Sequence, residues 1–194
     1  RYSGGAAGTY TSALFFGGIN PPGGFSANTE SWNGSAWTEV ADLNTARQSS
    51  AATGADNTSC LSSSGNSGSV TAVVESWNGS AWTETTDVNT ARQELGGSGI
   101  QTATVVFGGA EPSVSAKTEL WNGSSWSEQN DLSTARKTVA GSSLNSTLAL
   151  ASGGFTSDET GSTEEWNQTT GIGAWSTGTA VNTARQDGAG SGTS

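Results

Sequence analysis

Apolar residues fall in short runs along this chain, and the runs keep a fixed order. SALFFGG, TSCLSSSG, TATVVFGG and LALASGG form one set. Each is preceded by small residues (YSGGAAG, QSSAATG, QELGGSG, KTVAGSS) and followed by a Gly- and Ser-rich loop of varying length. TESW, VESW, TELW or TEEW comes next, then an Asn-containing turn, then SAWTEV, SAWTET, SSWSEQ or GAWSTG. No window carries apolar residues at i, i+3, i+4 and i+7, so no helix is predicted. Runs of about five to eight residues between turn signals predict strands, in sets of four.

The sets repeat. Trp32, Trp77, Trp121 and Trp166 are spaced 45, 44 and 45 residues apart, and Arg47, Arg92, Arg136 and Arg185 close four polar links in the same register. The last Arg interval is longer because WNQTTGIGAW carries four extra residues in one loop. Periods of this length mark stacked repeats that bury a face against each neighbour. WNGSAWTE occurs unchanged at Trp32–Glu39 and Trp77–Glu84, with WNGSSWSE at Trp121–Glu128. Asn-Gly between alternating residues predicts a hairpin. A two-residue loop sets Trp32 diagonal to Trp37, and a four-residue loop sets them face to face. Either register puts Trp32/Trp37, Trp77/Trp82, Trp121/Trp126 and Trp166/Trp175 on one side of a sheet. Rings that each bury about 150–250 Å² need another sheet to cover them.

Four-stranded units that pack on their neighbours predict an all-β chain arranged as a β-propeller. The blades are 1–46, 47–91, 92–135 and 136–184, with 185–194 as the first strand of a further blade, all within one region spanning 1–194. The glycine pairs Gly17-Gly18, Gly108-Gly109 and Gly153-Gly154, the paired tryptophans and the Arg after each link together resemble the kelch repeat. The resemblance spans nearly the whole chain and implies a kelch-type propeller. The second unit departs from it, with SSSG at Ser62–Gly65, which predicts a looser blade there. ALFFGG, TESWNGSAWTE and LNTAR are also similar in wording to kelch-like arrays in structural proteins of tailed phages and marine viral assemblages. The chain opens at Arg1 without an initiator Met, and Arg185–Ser194 aligns with a first strand. Both features read as a segment of a larger propeller of about five to seven blades, with a closed four-bladed ring as the alternative.

Composition narrows the function. The net charge is -10 and only seven Lys and Arg are present, scattered, which disfavours nucleic acid. No run approaches the roughly 20 apolar residues of a membrane span. The lone Cys60 excludes an internal disulfide framework, and its surroundings TSCLSS predict a buried side chain.

Catalytic groups do not declare themselves. Copper oxidases on kelch-type propellers need His and Tyr ligands, and this chain has no His and two Tyr. Convergent arginines of the sialidase type are one reading of Arg47, Arg92, Arg136 and Arg185; bracing of the link is the favoured one. Glu30, Glu75, Glu119 and Glu164 precede the first Trp of each unit by two residues, poised to pair with a repeat Arg of a neighbouring blade or to face solvent. Asp42, Asp87 and Asp131 suit turn formation in the links. Thr156–Glu165 is the one dense acidic loop and a candidate cation site.

The expectation is therefore a non-enzymatic module without cofactor or metal, placed on a virion surface or extracellularly within a larger assembly. Its partners would be other structural proteins or a host-surface glycan or protein, met through loops that differ between blades, such as Ile19–Thr29, Asn66–Ala72 and Ala110–Lys117. A lectin-like propeller holding glycan against exposed tryptophans is the second expectation.

Overall fold

A computed structural model describes residues 1–142, 145–168 and 171–188. It contains four antiparallel four-stranded sheets and no helix among the described residues. The first sheet is β1 (Gly5–Thr9), β2 (Ser12–Phe16), β3 (Thr29–Trp32) and β4 (Trp37–Val40), in that order. The second is β5 (Ala51–Asp56), β6 (Ser59–Asn66), β7 (Val70–Trp77) and β8 (Trp82–Thr85). In the third, β9 (Gly96–Ile100) and β10 (Ala103–Phe107) pair with β13 (Thr118–Trp121) and β14 (Trp126–Glu128), while β11 (Ala110–Glu111) and β12 (Ser113–Val114) make a separate small hairpin. The fourth is β15 (Ala140–Ser142), β16 (Leu148–Ser152), β17 (Thr163–Asn167) and β18 (Ala174–Thr177). The arrangement is blade-like. Of the expected further strand at 185–194, residues 185–188 are described and not in a strand; the rest lies outside the described residues.

The sheets stack through their first strands, β1 against β5, β5 against β9 and β9 against β15. This contact explains the small residues that open every unit. A Cβ on Gly97 would lie 3.1 Å from the Ala51 Cβ, and one on Gly141 would lie 2.2 Å from the Gly97 carbonyl oxygen. A larger side chain would force the sheets apart.

Further out, each gap between sheets is filled from both sides. Leu14 and Phe16 of β2 meet Cys60, Trp77 and Trp82. Leu61 and Val74 meet Val106, Trp121 and Trp126. Val105 and Phe107 meet Ala149, Ala151 and Trp166. β10 is buried on both faces, which is why ATVVF reads as a continuous apolar run.

The Asn-Gly turns take the four-residue form. Trp32 faces Trp37, Trp77 faces Trp82 and Trp121 faces Trp126, with the longer loop doing the same for Trp166 and Trp175. Ring centroids within each pair are 5.2–5.5 Å apart. The asparagine supplies the turn with its side chain. Asn78 Oδ1 accepts the backbone N–H groups of Ser80 at 3.0 Å and Ala81 at 2.9 Å, and Gly79 takes the positive φ of 92°.

The expected looseness of the second unit is not found. Ser64 occupies the left-handed conformation of the first glycine, at φ 63° against 66° for Gly108. Its hydroxyl lies 2.7 Å from the Thr71 carbonyl oxygen and 2.6 Å from that of Arg92, and accepts the Arg92 N–H at 2.9 Å. These bonds offset the roughly 1–2 kcal/mol cost of that conformation. β6 and β7 are the longest strands of the four sheets, at 8 residues each. Ser64→Ala keeps the strain and removes the bonds, so it should cost about 1–3 kcal/mol. The urea midpoint should fall accordingly; an unchanged midpoint would refute this account of the turn.

Candidate functional site

The repeat arginines lie inside the protein. Arg47, Arg92 and Arg136 are wholly buried, each in the link that enters a sheet. Arg47 pairs with Glu75 at 2.6 Å and Arg92 with Glu119 at 2.8 Å, while Arg136 pairs with Glu164. The partner is therefore the glutamate of the unit that the arginine opens, not that of a neighbouring unit. The carboxylates also cap the link. Glu75 accepts the backbone N–H groups of Asn44 at 2.7 Å and Thr45 at 3.1 Å, and Glu119 does the same for Asn89 and Thr90. Burial lowers the pKa of Arg47 and Arg92, and the paired carboxylates oppose that shift. The three guanidiniums are thus spent on separate carboxylates. The fourth, Arg185, is exposed, with its Nε on the Thr183 carbonyl oxygen.

The first tryptophan of each pair ties its own sheet together. The indole N–H groups of Trp32, Trp77, Trp121 and Trp166 donate at 2.9–3.0 Å to carbonyls of Tyr10, Asn57, Gln101 and Ser146, in or beside the turn between the first two strands. The second tryptophan ties that sheet to the one before. Trp82 donates to Thr29 Oγ1 at 3.0 Å and packs edge-on against Phe16, and Trp175 does the same with Thr118 and Phe107. In the second sheet Val74 stands where Thr29 and Thr118 stand, so Trp126 donates to the Thr86 carbonyl at 2.9 Å instead. Trp37 differs from its three counterparts: it is 51% exposed.

Gly17, Gly108 and Gly153 carry the next link across the end of the sheet. A Cβ on them would meet the carbonyl oxygens of Arg47, Arg136 and Arg185 at 2.6–2.7 Å. Gly18, Gly109 and Gly154 similarly face the Tyr2, Gln93 and Lys137 carbonyls. Asp42 and Asp131 reach beyond their own links, accepting the Thr29 and Thr118 N–H groups at 3.2 Å.

What sequence reasoning missed is a cavity. Two residues after each repeat arginine position stand Ser3, Ser49, Glu94, Thr138 and Asp187, and all five line one open cavity of about 380 Å³. All five have left-handed backbone, with φ between 52° and 58°. A relay of backbone bonds joins the first four, with Ser49 N–H donating to Ser3 O, Glu94 N–H to Ser49 O and Thr138 N–H to Glu94 O at 2.7–2.9 Å. The residue types differ, so no repeated letter marks the position; only its fixed offset from the arginine could have drawn notice. The cavity offers hydroxyls and the carboxylates of Glu94 and Asp187, with Lys137 on Glu94 at 2.8 Å.

The variable loops share the cavity's end of the stack. A first strand starts where the second ends and the third begins, and the bridges Tyr2–Ile19, Gln48–Asn66, Gln93–Ala110 and Lys137–Phe155 close that end in all four sheets. Among the described residues no group of three or more His, Cys, Asp or Glu is arranged to hold a metal, the acidic loop at 156–165 included.

Cys60 is fully buried, and desolvation, with a smaller contribution from Asp56, raises its thiol pKa to about 12. Native protein should therefore resist a thiol-reactive disulfide reagent at pH 8 and react fully in denaturant. Rapid native reaction would contradict the burial.

No known family model matches the chain, and no curated protein is detectably similar to it.

Proposed function

We propose that this chain is part of a kelch-like β-propeller that acts as a non-catalytic structural or adhesive module on the outside of a virion or cell. In this reading the four sheets are blades around an axis that passes through the cavity, and the loops around its mouth contact a protein or host-surface partner. One observation carries it. Three of the four repeat arginines, and the glutamates they face, neutralise one another inside the sheets, while the loops at the cavity end, among them Ile19–Thr29, Asn66–Ala72 and Ala110–Lys117, differ in sequence from sheet to sheet. A constant frame with variable loops at one end is an arrangement suited to recognition. A glycan groove walled by tryptophan draws less support, since Trp37 is the one tryptophan with more than a third of its surface exposed.

The test is cosedimentation of fluorescently labelled protein with a panel of intact bacterial cells, before and after periodate oxidation of their surface glycans. A second protein would carry the equivalent Asn66–Val73 connection in place of Ile19–Asn28 and Phe155–Ser162. Binding that disappears with the loops, while Tm stays unchanged, supports the proposal. Periodate sensitivity would assign a glycan partner. Binding indifferent to the loops, or to none of the cells, would refute it.

A further inference from the structure

Three sheet-to-sheet contacts are complete, and the two outer faces of the stack each retain one half of the same contact. On the first sheet, Trp37 has no sheet before it to dock on, and the Glu30 side chain is 43% exposed although it pairs with Arg1. On the fourth sheet, Thr163 stands where Thr29 and Thr118 accept a tryptophan N–H. Its Oγ1 is buried and has no hydrogen-bond partner among the described residues, although the residue is only 6% exposed. Leu150 stands where Leu14, Leu61 and Val105 are wholly buried, and it is only half-buried. Arg185 stands where three arginines meet a glutamate.

The structure assigns these two faces to one missing occupant: a fifth sheet of the same repeat chemistry, entered through Arg185–Gly188 as the other sheets are entered through their arginine links. The assignment deepens the propeller reading above and rests on it. Asp187 already lines the cavity beside Ser3 and Thr138, with the same backbone conformation. A Cβ on Gly188 would sit 3.6 Å from that of Ala140, so this segment lies beside β15 much as β15 lies beside β9. The occupant is defined by what the faces lack. It brings a glutamate for Arg185, a tryptophan whose indole N–H reaches Thr163, and an apolar second strand for Trp37 to pack against. A buried hydroxyl without a partner is costly, and a tryptophan donor is what satisfies its counterparts.

The experiment extends the full chain after Ser194 with a copy of Asn57–Arg92, because Arg185–Ser194 aligns with Arg47–Asp56. A scrambled extension of the same composition is the control. Docking should give a single transition with Tm raised by at least about 5 °C, and Trp37 should be shielded from acrylamide. Thr163→Val should leave the parent's Tm unchanged or higher but lower that of the extended protein, since only there does the hydroxyl have a donor to lose. An extension that stays unfolded with Trp37 still accessible overturns the inference, as does a Thr163→Val effect equal in both proteins. Sedimentation of the parent as a dimer with Trp37 shielded also overturns it, because a second copy then fills the site. Cell binding tests the proposed function alone and is read separately from docking.

Discussion

Glu119→Ala should lower stability by about 3–5 kcal/mol, because it strands the Arg92 guanidinium inside the third sheet. Arg92 is fully buried and holds Glu119 at 2.8 Å, with the Lys117, Gly108 and Thr90 carbonyls at 2.6, 3.0 and 3.4 Å as its other acceptors. Three neutral carbonyls do not replace a carboxylate for a buried cation. The variant also frees the Asn89 and Thr90 N–H groups that the carboxylate caps. At about 2–4 °C per kcal/mol for a chain of this size, Tm should fall by roughly 6–20 °C. The double substitution Arg92→Met with Glu119→Leu should recover most of the loss, because it leaves no charge behind. Calorimetry on the three proteins decides it. A single variant within 1 kcal/mol of the parent would mean that the pair is solvated in solution.

Trp82→Ala should cost about 3–5 kcal/mol, whereas Trp37→Ala should stay within about 0.5–1 kcal/mol of the parent. Both residues sit at the sixth place of the same octapeptide. Trp82 is 5% exposed, packs on Phe16 at 4.8 Å and satisfies Thr29 with its indole N–H. Its removal opens a cavity between two sheets and takes from the buried Thr29 hydroxyl its indole donor, leaving only the 3.4 Å bond to the Ala27 carbonyl. Trp37 has its Trp32 neighbour at 5.5 Å and solvent over half its surface. Urea unfolding of the two variants side by side is the measurement. Equal losses would show that Trp37 is covered in solution, contrary to this structure.

Local sequence was a sufficient guide wherever the cause is local. Strands show as short apolar runs because a pleated segment between turns needs only a few alternating positions. The shared side of Trp32 and Trp37 followed from the period of two, whichever loop length held. The loop length itself did not follow, since Asn33-Gly34 suits both forms; the side chain of Asn33 accepting from Ser35 and Ala36 selects the longer one. Ser64 misled for a similar reason. A missing glycine reads as a defect until the serine hydroxyl is seen bonded across to the link of Arg92.

The candidate site was less legible. The spacing of arginine and glutamate was visible, but which glutamate each arginine meets depends on how a link folds back over the sheet it enters. The cavity was invisible, because Ser3, Ser49, Glu94, Thr138 and Asp187 share a backbone conformation and not a side chain. WNGSAWTE sums up the division. The eight residues carry their own hairpin, register and tryptophan pairing wherever they occur, because those depend on near neighbours in the chain. Whether the second tryptophan is buried and bonded, as Trp82 is, or left in solvent, as Trp37 is, depends on whether another sheet lies against it. Burial and partner choice arise from surfaces brought together over long chain distances, and identical segments therefore acquire different energies.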